Sequence, residues 1–439
     1  MIKSIIFLFT ITWLSNAQST SLSEIDNDIN KLILSALTLS TTRNKTDETI
    51  NTCQYIENKA LISSLITCHE YLSDVYVTED IDSYSNYINK LLQFGVRVQD
   101  QPEFNKIISA GYEEVTSKLF FKIAEMSYKY KRYDDALKYL KKIDDSLDDQ
   151  SVYSALLMYG LIYFEKGDYK KAKYYFSRID DSSEMYLYAK YNLALISMRS
   201  SWWSEAEDHL NDAIKVINLK KIDKKHSQVL DKIYLTIGYS QLNRKNYRLS
   251  KQSFSKISIN SNIQSRALIG LSMSEIGLNN LNKAAPILKH ILNNVDNDDY
   301  LDALVILPQV YQHADNLHDT VNYYNDALSK MSDINSQVNE LINKVDALSM
   351  EEMFDLTPNQ WRYEEIKNRY LSLGQFESLQ GLQPADYKKV ASITNKTIKY
   401  TRNMFKRELI KKVKKINNYV TQVKYSLAVI YDSSVADNQ

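Results

Sequence analysis

A pattern that recurs six times between residues 110 and 332 constrains this chain more than anything else in it. Each copy has a bulky residue, a small one three positions later, and a large one four further on. The first two members are Tyr133/Ala136, Tyr169/Ala172, Trp203/Ala206, Tyr247/Ser250, Leu281/Ala284 and Leu317/Thr320. The third members are Leu140, Phe176, Leu210, Phe254, Leu288 and Tyr324. Successive copies stand 36, 34, 44, 34 and 36 residues apart. Steps of three and four place these side chains on one side of a helix, where the small residue lets a second helix approach and the large one fills the gap a turn later. Each copy therefore reads as a pair of helices, and such units bury a core only by stacking. Nine Gly and five Pro in 439 residues fit long elements and few turns.

The clearest copy spans Leu156 to Phe176. Tyr159 precedes the small Gly160, Tyr163 follows, Gly167-Asp168-Tyr169 makes a turn, and Ala172 and Phe176 lie on the second helix. This resembles the tetratricopeptide repeat, whose period is about 34 residues. The resemblance implies an all-α fold, a tetratricopeptide-like helical-hairpin solenoid. It also implies that ligands lie in a groove lined by the exposed side of each first helix. Carried over in register, the groove positions are Phe121, Tyr128, Leu157, Phe164, Tyr188, Tyr191, Met198, Arg199, Leu235, Tyr239, Ile269 and Met273. So apolar a row suits an extended or helical segment of a protein partner, or else the terminal helices of the chain itself. Two departures stand out. The long interval holds an insertion, Leu219 to His226, expected as a longer loop or an extra turn of helix. Pro308 replaces the small first-helix residue of the sixth copy and is expected to kink or shorten that helix, where the regular stack degrades.

The segments outside the repeats divide into a leader (1–17), an N-terminal helical cap (18–109), a helical extension (333–384), a long amphipathic helix (385–431) and a tail (432–439). Lys3, the apolar run Ile5 to Leu14 and the small residues Ser15-Asn16-Ala17 read as a secretory signal cleaved after Ala17. The alternative is an uncleaved anchor, although the run is short for a membrane span. Export would place the chain in the bacterial periplasm or cell envelope. Cys53 and Cys68 would meet an oxidising compartment there, where an even pair tends to close. A bridge would staple a short hairpin by about 3 kcal/mol. On one uninterrupted helix the two are too far apart to bond. In the cap, Ile25, Ile29, Leu32, Ile33 and Ala36 form one apolar stripe. Asn44 and Asn395 match the glycosylation acceptor pattern, a frequent coincidence in an Asn-rich chain.

After the repeats, Val338, Leu341, Ile342 and Val345 continue a helical stripe, and Thr357-Pro358 is a helix start. Trp361, Ile366, Tyr370 and Leu373 form the next stripe, with Gly374 at its expected end and Gln380 to Pro384 as a linker. In the last helix Phe405, Leu409, Val413, Ile416, Val420, Val423, Leu427 and Ile430 make a heptad-like seam. It can pack on the solenoid, pair with the helix of Trp361, or form a coiled coil with a partner. The same helix carries Lys399, Arg402, Lys406, Arg407, Lys411, Lys412, Lys414 and Lys415, against Glu408 alone in that interval. These read either as a contact for an anionic surface or as a solvated side. The chain as a whole balances 54 cations against 54 anions, so no global field favours nucleic acid.

No catalytic, cofactor-binding or metal-ligating arrangement is expected. The six His are scattered, and neither a Gly-rich phosphate loop nor a nucleophile elbow occurs. Asp296, Asp298, Asp299 and Asp302 lack the Gly and Glu of a calcium loop and read as a polar connection between repeats. The expected function is an exported scaffold, not an enzyme, that binds a protein partner through its groove or last helix. The alternative is an envelope attachment protein that uses the basic helix on anionic lipid or polymer.

Overall fold

The computed structural model describes residues 113–129, 131–143, 148–220, 227–295, 298–357 and 384–436, with Ile25, Asp28, Ile29 and six positions between 366 and 374. Among these residues there is no strand. The leader, nearly all of the cap, both cysteines, Asn44 and Trp361 lie outside the described residues. Twelve helices form six hairpins: α1 (Glu113–Lys129) with α2 (Tyr133–Leu140), α3 (Asp149–Glu165) with α4 (Tyr169–Phe176), and α5 (Met185–Arg199) with α6 (Trp203–Lys220). Then come α7 (Ser227–Asn243) with α8 (Tyr247–Phe254), α9 (Gln264–Gly277) with α10 (Leu281–Asn294), and α11 (Asp298–His313) with α12 (Leu317–Lys344).

The bulky residue of every copy is the first residue of the second helix of its hairpin. Ala136, Ala172, Ala206, Ser250, Ala284 and Thr320 are all 0% exposed, and the large residues four positions on are at most 3% exposed. A third invariant precedes them. Lys131, Gly167, Ser201, Lys245, Asn279 and Asp315, each two residues before the bulky one, have φ between 52 and 79°. Each donates its N–H to the carbonyl three residues back, and the next residue donates to the carbonyl five before itself, as Lys131 does to Tyr128 and Arg132 to Ser127. These paired bonds satisfy the last carbonyls of the first helix in a Schellman turn. The carbonyl of that next residue then accepts from the buried small residue, as Arg132 does from Ala136. One glycine serves six left-handed positions, so five L-residues each bear about 1–2 kcal/mol of backbone strain.

The described residues fall into two compact units. One runs to Tyr175 and resumes at Asp346–Phe405; the other is Phe176–Val345 with the chain from Lys406 onward. In the first, α1, α2 and α3 pack together, with the Phe120 and Tyr139 rings 6.0 Å apart and Lys166 paired to Asp134 at 2.5 Å. Its later part holds α13 (Met350–Asp355), closed at its start by a capping box of Ser349 and Glu352. The Thr357 hydroxyl donates to the carbonyl of Met353, so it closes the end of α13. Ile366 and Leu373 are buried as the stripe required, and Gly374 is still helical.

In the second unit each hairpin from α5 to α12 packs on the next. The tightest joint is Phe254. A Cβ on Gly238 would stand 2.6 Å from its ring, and one on Gly270, in the following hairpin, 2.2 Å. Two residues without side chains thus make the slot that this ring fills. The long interval takes one of its two expected forms, added helix: α6 has 18 residues against 8 in α2, α4 and α8, and residues 221–226 lie outside the described set. Two expectations need revision. Pro308 does not shorten its helix: α11 runs 16 residues through it, the proline is buried, and the following turn, Thr320 and Tyr324 keep their repeat geometry. The regular stack ends one helix later, where α12 runs on for 28 residues. Finally, Asp298, Asp299 and Asp302 lie in the first turns of α11 and not in a loop. Carboxylates there favour the positive end of the helix dipole.

The last helix, α14 (Pro384–Ala436), is 53 residues long and contributes to both units. Pro384 opens it, as fits a residue without an N–H to satisfy. The later half of its seam is spent within the second unit: Ile416, Val423, Leu427 and Ile430 form one buried cluster with Leu301, Leu304 and Val305 of α11 and Tyr324, Ala327 and Met331 of α12. That half packs on the chain's own repeats. A coiled coil with a partner would need these same side chains.

Candidate functional site

The groove positions come from equivalent places on the first helices, and the structure separates them into three kinds. Residues five before the turn aromatic lean on that aromatic. The Tyr128 and Tyr133 rings are 6.0 Å apart, and Phe164 meets Tyr169 edge-on at 5.6 Å. Burial, and then the Glu165 carboxylate, push the Tyr128 phenol up to about 12. These two close their own hairpins. A second kind bridges hairpins. Ile269 is buried among Leu288, Ile306 and Leu307, and Met273 packs against the same cluster. Tyr239 lies edge-on to Phe254 at 4.9 Å and donates its hydroxyl to the Arg266 carbonyl at 2.8 Å. Burial pushes its phenol far up. Ile269 and Tyr239 therefore belong to the packing between repeats, in place of an open groove.

The remainder are half open. Phe121 and Leu157 are half-buried in the first unit. In the second, Tyr188, Tyr191 and Met198 rest against the cluster of Leu187, Ala206, Leu210 and Ile237, Leu235 rests against that of Phe254, and Arg199 is exposed. Burial raises the Tyr188 and Tyr191 phenols, with Glu184 adding to the first and a bond to Thr236 opposing in the second. Tyr188, Tyr191, Met198, Arg199 and Leu235 thus line a partly apolar surface across α5 and α7.

The eight cations of the last helix are not one free stripe. Arg402 donates to the Leu348 carbonyl at 3.1 Å, Lys415 pairs with Asp298 at 2.8 Å, and Lys411 pairs with Glu408 at 3.0 Å. Lys406 is partly buried, whereas Lys399, Arg407, Lys412 and Lys414 are exposed.

Where α14 meets the repeats, a polar knot forms that the sequence reading missed. Arg266 of α9 pairs with Asp299 at 2.8 Å and Asp302 at 2.6 Å, both on α11. The Tyr419 hydroxyl of α14 donates to Asp302, and Ser265 donates to Asp299. Burial, and then the Asp302 carboxylate, push the Tyr419 phenol far up, so the hydroxyl stays a donor. For Arg266, burial alone would lower the pKa, but Tyr239 and the two carboxylates raise it. The knot ties two hairpins, through α9 and α11, to the last helix, with each charge facing an opposite one. Its chemistry is that of a structural joint. Among the described residues no His, Cys, Asp and Glu cluster could hold a metal ion, and no helix is long and apolar enough to cross a membrane.

Six hairpins joined by one turn geometry define a helical repeat scaffold, an architecture that presents extended surfaces to other proteins. The family model of the tetratricopeptide repeat matches residues 154–181, which span the second hairpin. Residues 154–181 thus carry a tetratricopeptide repeat, and the described residues form an all-α, tetratricopeptide-like series of helical hairpins. No curated protein matches it. Among solved structures, a tetratricopeptide repeat protein from Parabacteroides merdae is 14% identical, over 64% of this chain and 99% of that one, with a TM-score of 0.37. The apo form of RapI is 13% identical, over 83% and 99%, with a TM-score of 0.40. A signal transduction ATPase with a tetratricopeptide repeat sensor, from Pyrococcus horikoshii, is 14% identical over 89% and 67%, with a TM-score of 0.41. Likenesses this distant do not bear on function.

Proposed function

We propose that this chain is an exported scaffold, acting in the bacterial periplasm or cell envelope, that holds a segment of a protein partner against the first helices of its repeats. The observation that carries the reading is the half-open row Tyr188, Tyr191, Met198 and Leu235, beside the exposed Arg199. Each side chain rests on the core by one side and leaves the other to water. A partner segment would remove that side from water while Arg199 and the tyrosine hydroxyls fix its register. The leader pattern of residues 1–17 supports export.

The test is crosslinking of the tagged chain in intact cells, with N-terminal sequencing of the recovered protein. A mature terminus at Gln18, and one enriched envelope protein that is lost in Tyr191→Ala/Arg199→Glu while that variant still folds by circular dichroism, is the expected result. Tyr239 is left intact because its loss would open the joint between repeats. Recovery of the same protein with the double variant would remove the α5–α7 surface from the account. An unprocessed chain found only with cytoplasmic proteins would remove export.

A further inference from the structure

The later half of the last helix's seam is buried against α11 and α12, so the opposite side of the same helix faces outward. Counting from Arg407 in steps of four and three, that side carries Arg407, Lys411, Lys414, Asn418, Thr421, Tyr425 and Val429. Three cations occupy its first half and two apolar-bodied residues its second, and Ile410 lies beside the cations. Ile410, Tyr425 and Val429 are 43, 62 and 39% exposed. Between Lys406 and Tyr431 the only acid is Glu408, which pairs with Lys411. Arg407, Lys412 and Lys414 have no ion pair among the described residues.

We propose that this outward side of α14 is a contact surface for an anionic lipid bilayer. Charge complementarity selects an anionic occupant, and the exposed apolar residues select a bilayer over a soluble polyanion. A polymer would use the cations alone. At a bilayer surface the cations meet lipid phosphates, while a tyrosine and aliphatic side chains enter the headgroup boundary. The geometry suits a plane, because the residues lie along one line of about 33 Å at 1.5 Å per residue. The surface is independent of the α5–α7 row, and either can fail without the other.

The experiment is cosedimentation of the full chain with phosphatidylglycerol–phosphatidylcholine vesicles, with pure phosphatidylcholine vesicles beside them. Binding to the anionic vesicles only, weakening as salt rises, is expected. Arg407→Gln/Lys411→Gln/Lys414→Gln should lower partitioning about 100-fold, at roughly fivefold per cation. Tyr425→Ser/Val429→Ser, which keeps every charge, should lower it several-fold. Both variants lie off the seam and should unfold like the parent, and Tyr191→Ala should bind vesicles unchanged. Absence of binding to anionic vesicles, or binding insensitive to salt, overturns the proposal. Vesicle binding that Tyr425→Ser/Val429→Ser leaves untouched, matched by equal binding to soluble polyglutamate, overturns it in favour of an acidic polymer.

Discussion

The slot around Phe254 predicts opposite signs for one substitution at two glycines. In Gly270→Ala the new Cβ would stand 2.2 Å from Phe254 Cζ and 2.5 Å from Cε2. Carbon atoms in contact need about 3.5 Å, so ring and helix must part by about 1 Å. The ring has nowhere to go. It is 3% exposed, Gly238 stands close enough that a Cβ there would also meet the ring, and Tyr239 meets it edge-on. Overpacking of this kind costs about 1–3 kcal/mol, and a helical Gly→Ala change returns up to about 1 kcal/mol. We expect Gly270→Ala to lose about 2 kcal/mol in urea unfolding followed by far-ultraviolet circular dichroism. Gly374 is also helical, and a Cβ there would meet nothing within 4 Å. Gly374→Ala should therefore gain up to about 1 kcal/mol. Phe254→Leu should relieve Gly270→Ala, giving a double-mutant coupling of at least about 1 kcal/mol. A Gly270→Ala protein as stable as the parent, or two substitutions that simply add, would refute the slot.

The left-handed turn residues give a second test: Lys131→Gly, Ser201→Gly, Lys245→Gly and Asp315→Gly should each add about 0.5 kcal/mol, the relief of strain less the added chain entropy of glycine. Gly167→Ala should lose about 1 kcal/mol in the same urea assay. Tyr419→Phe should cost about 1 kcal/mol at neutral pH. Because the folded phenol is raised, its contribution is complete below the unfolded value of about 10 and is lost as pH rises beyond it. Alkaline melting curves should accordingly fall less steeply for Tyr419→Phe than for the parent. Glu275 runs the other way: burial would raise its pKa, but bonds from Lys251 and Asn280 hold it low. Its contribution is complete above about pH 4.3 and is lost as pH falls through the lower folded value, so Glu275→Gln should flatten the acid limb of the stability profile.

What the sequence discloses follows from which contacts are local. The small residue of each repeat stands where two helices approach most closely, and few side chains fit there. For that reason all six copies are legible in the sequence, and the small residue of each is 0% exposed. The turn before it is equally regular, yet only Gly167 betrays it. At the other five positions backbone bonds hold an ordinary L-residue at positive φ, a cost no side chain records. Asp298, Asp299 and Asp302 were misread as a loop for a related reason. A run of Asn and Asp has the composition of a turn, and what makes it helical is its place at a helix start, with partners far along the chain. Arg266 is 36 residues from Asp302 and Tyr419 is 117. The groove row was half legible: register assigns a residue to one side of a helix but does not say whether that side meets its own hairpin, the next one, or water. Tyr128, Ile269 and Tyr191 went to those three environments in turn, although periodicity treats them alike. The seam of α14 shows the converse. Its residues were all evident, but the partner of its later half required knowing that α11 and α12 leave apolar side chains for it to cover. Once those are covered, the long helix has a single unsatisfied side, and its cations, exposed tyrosine and aliphatic side chains limit what can meet it.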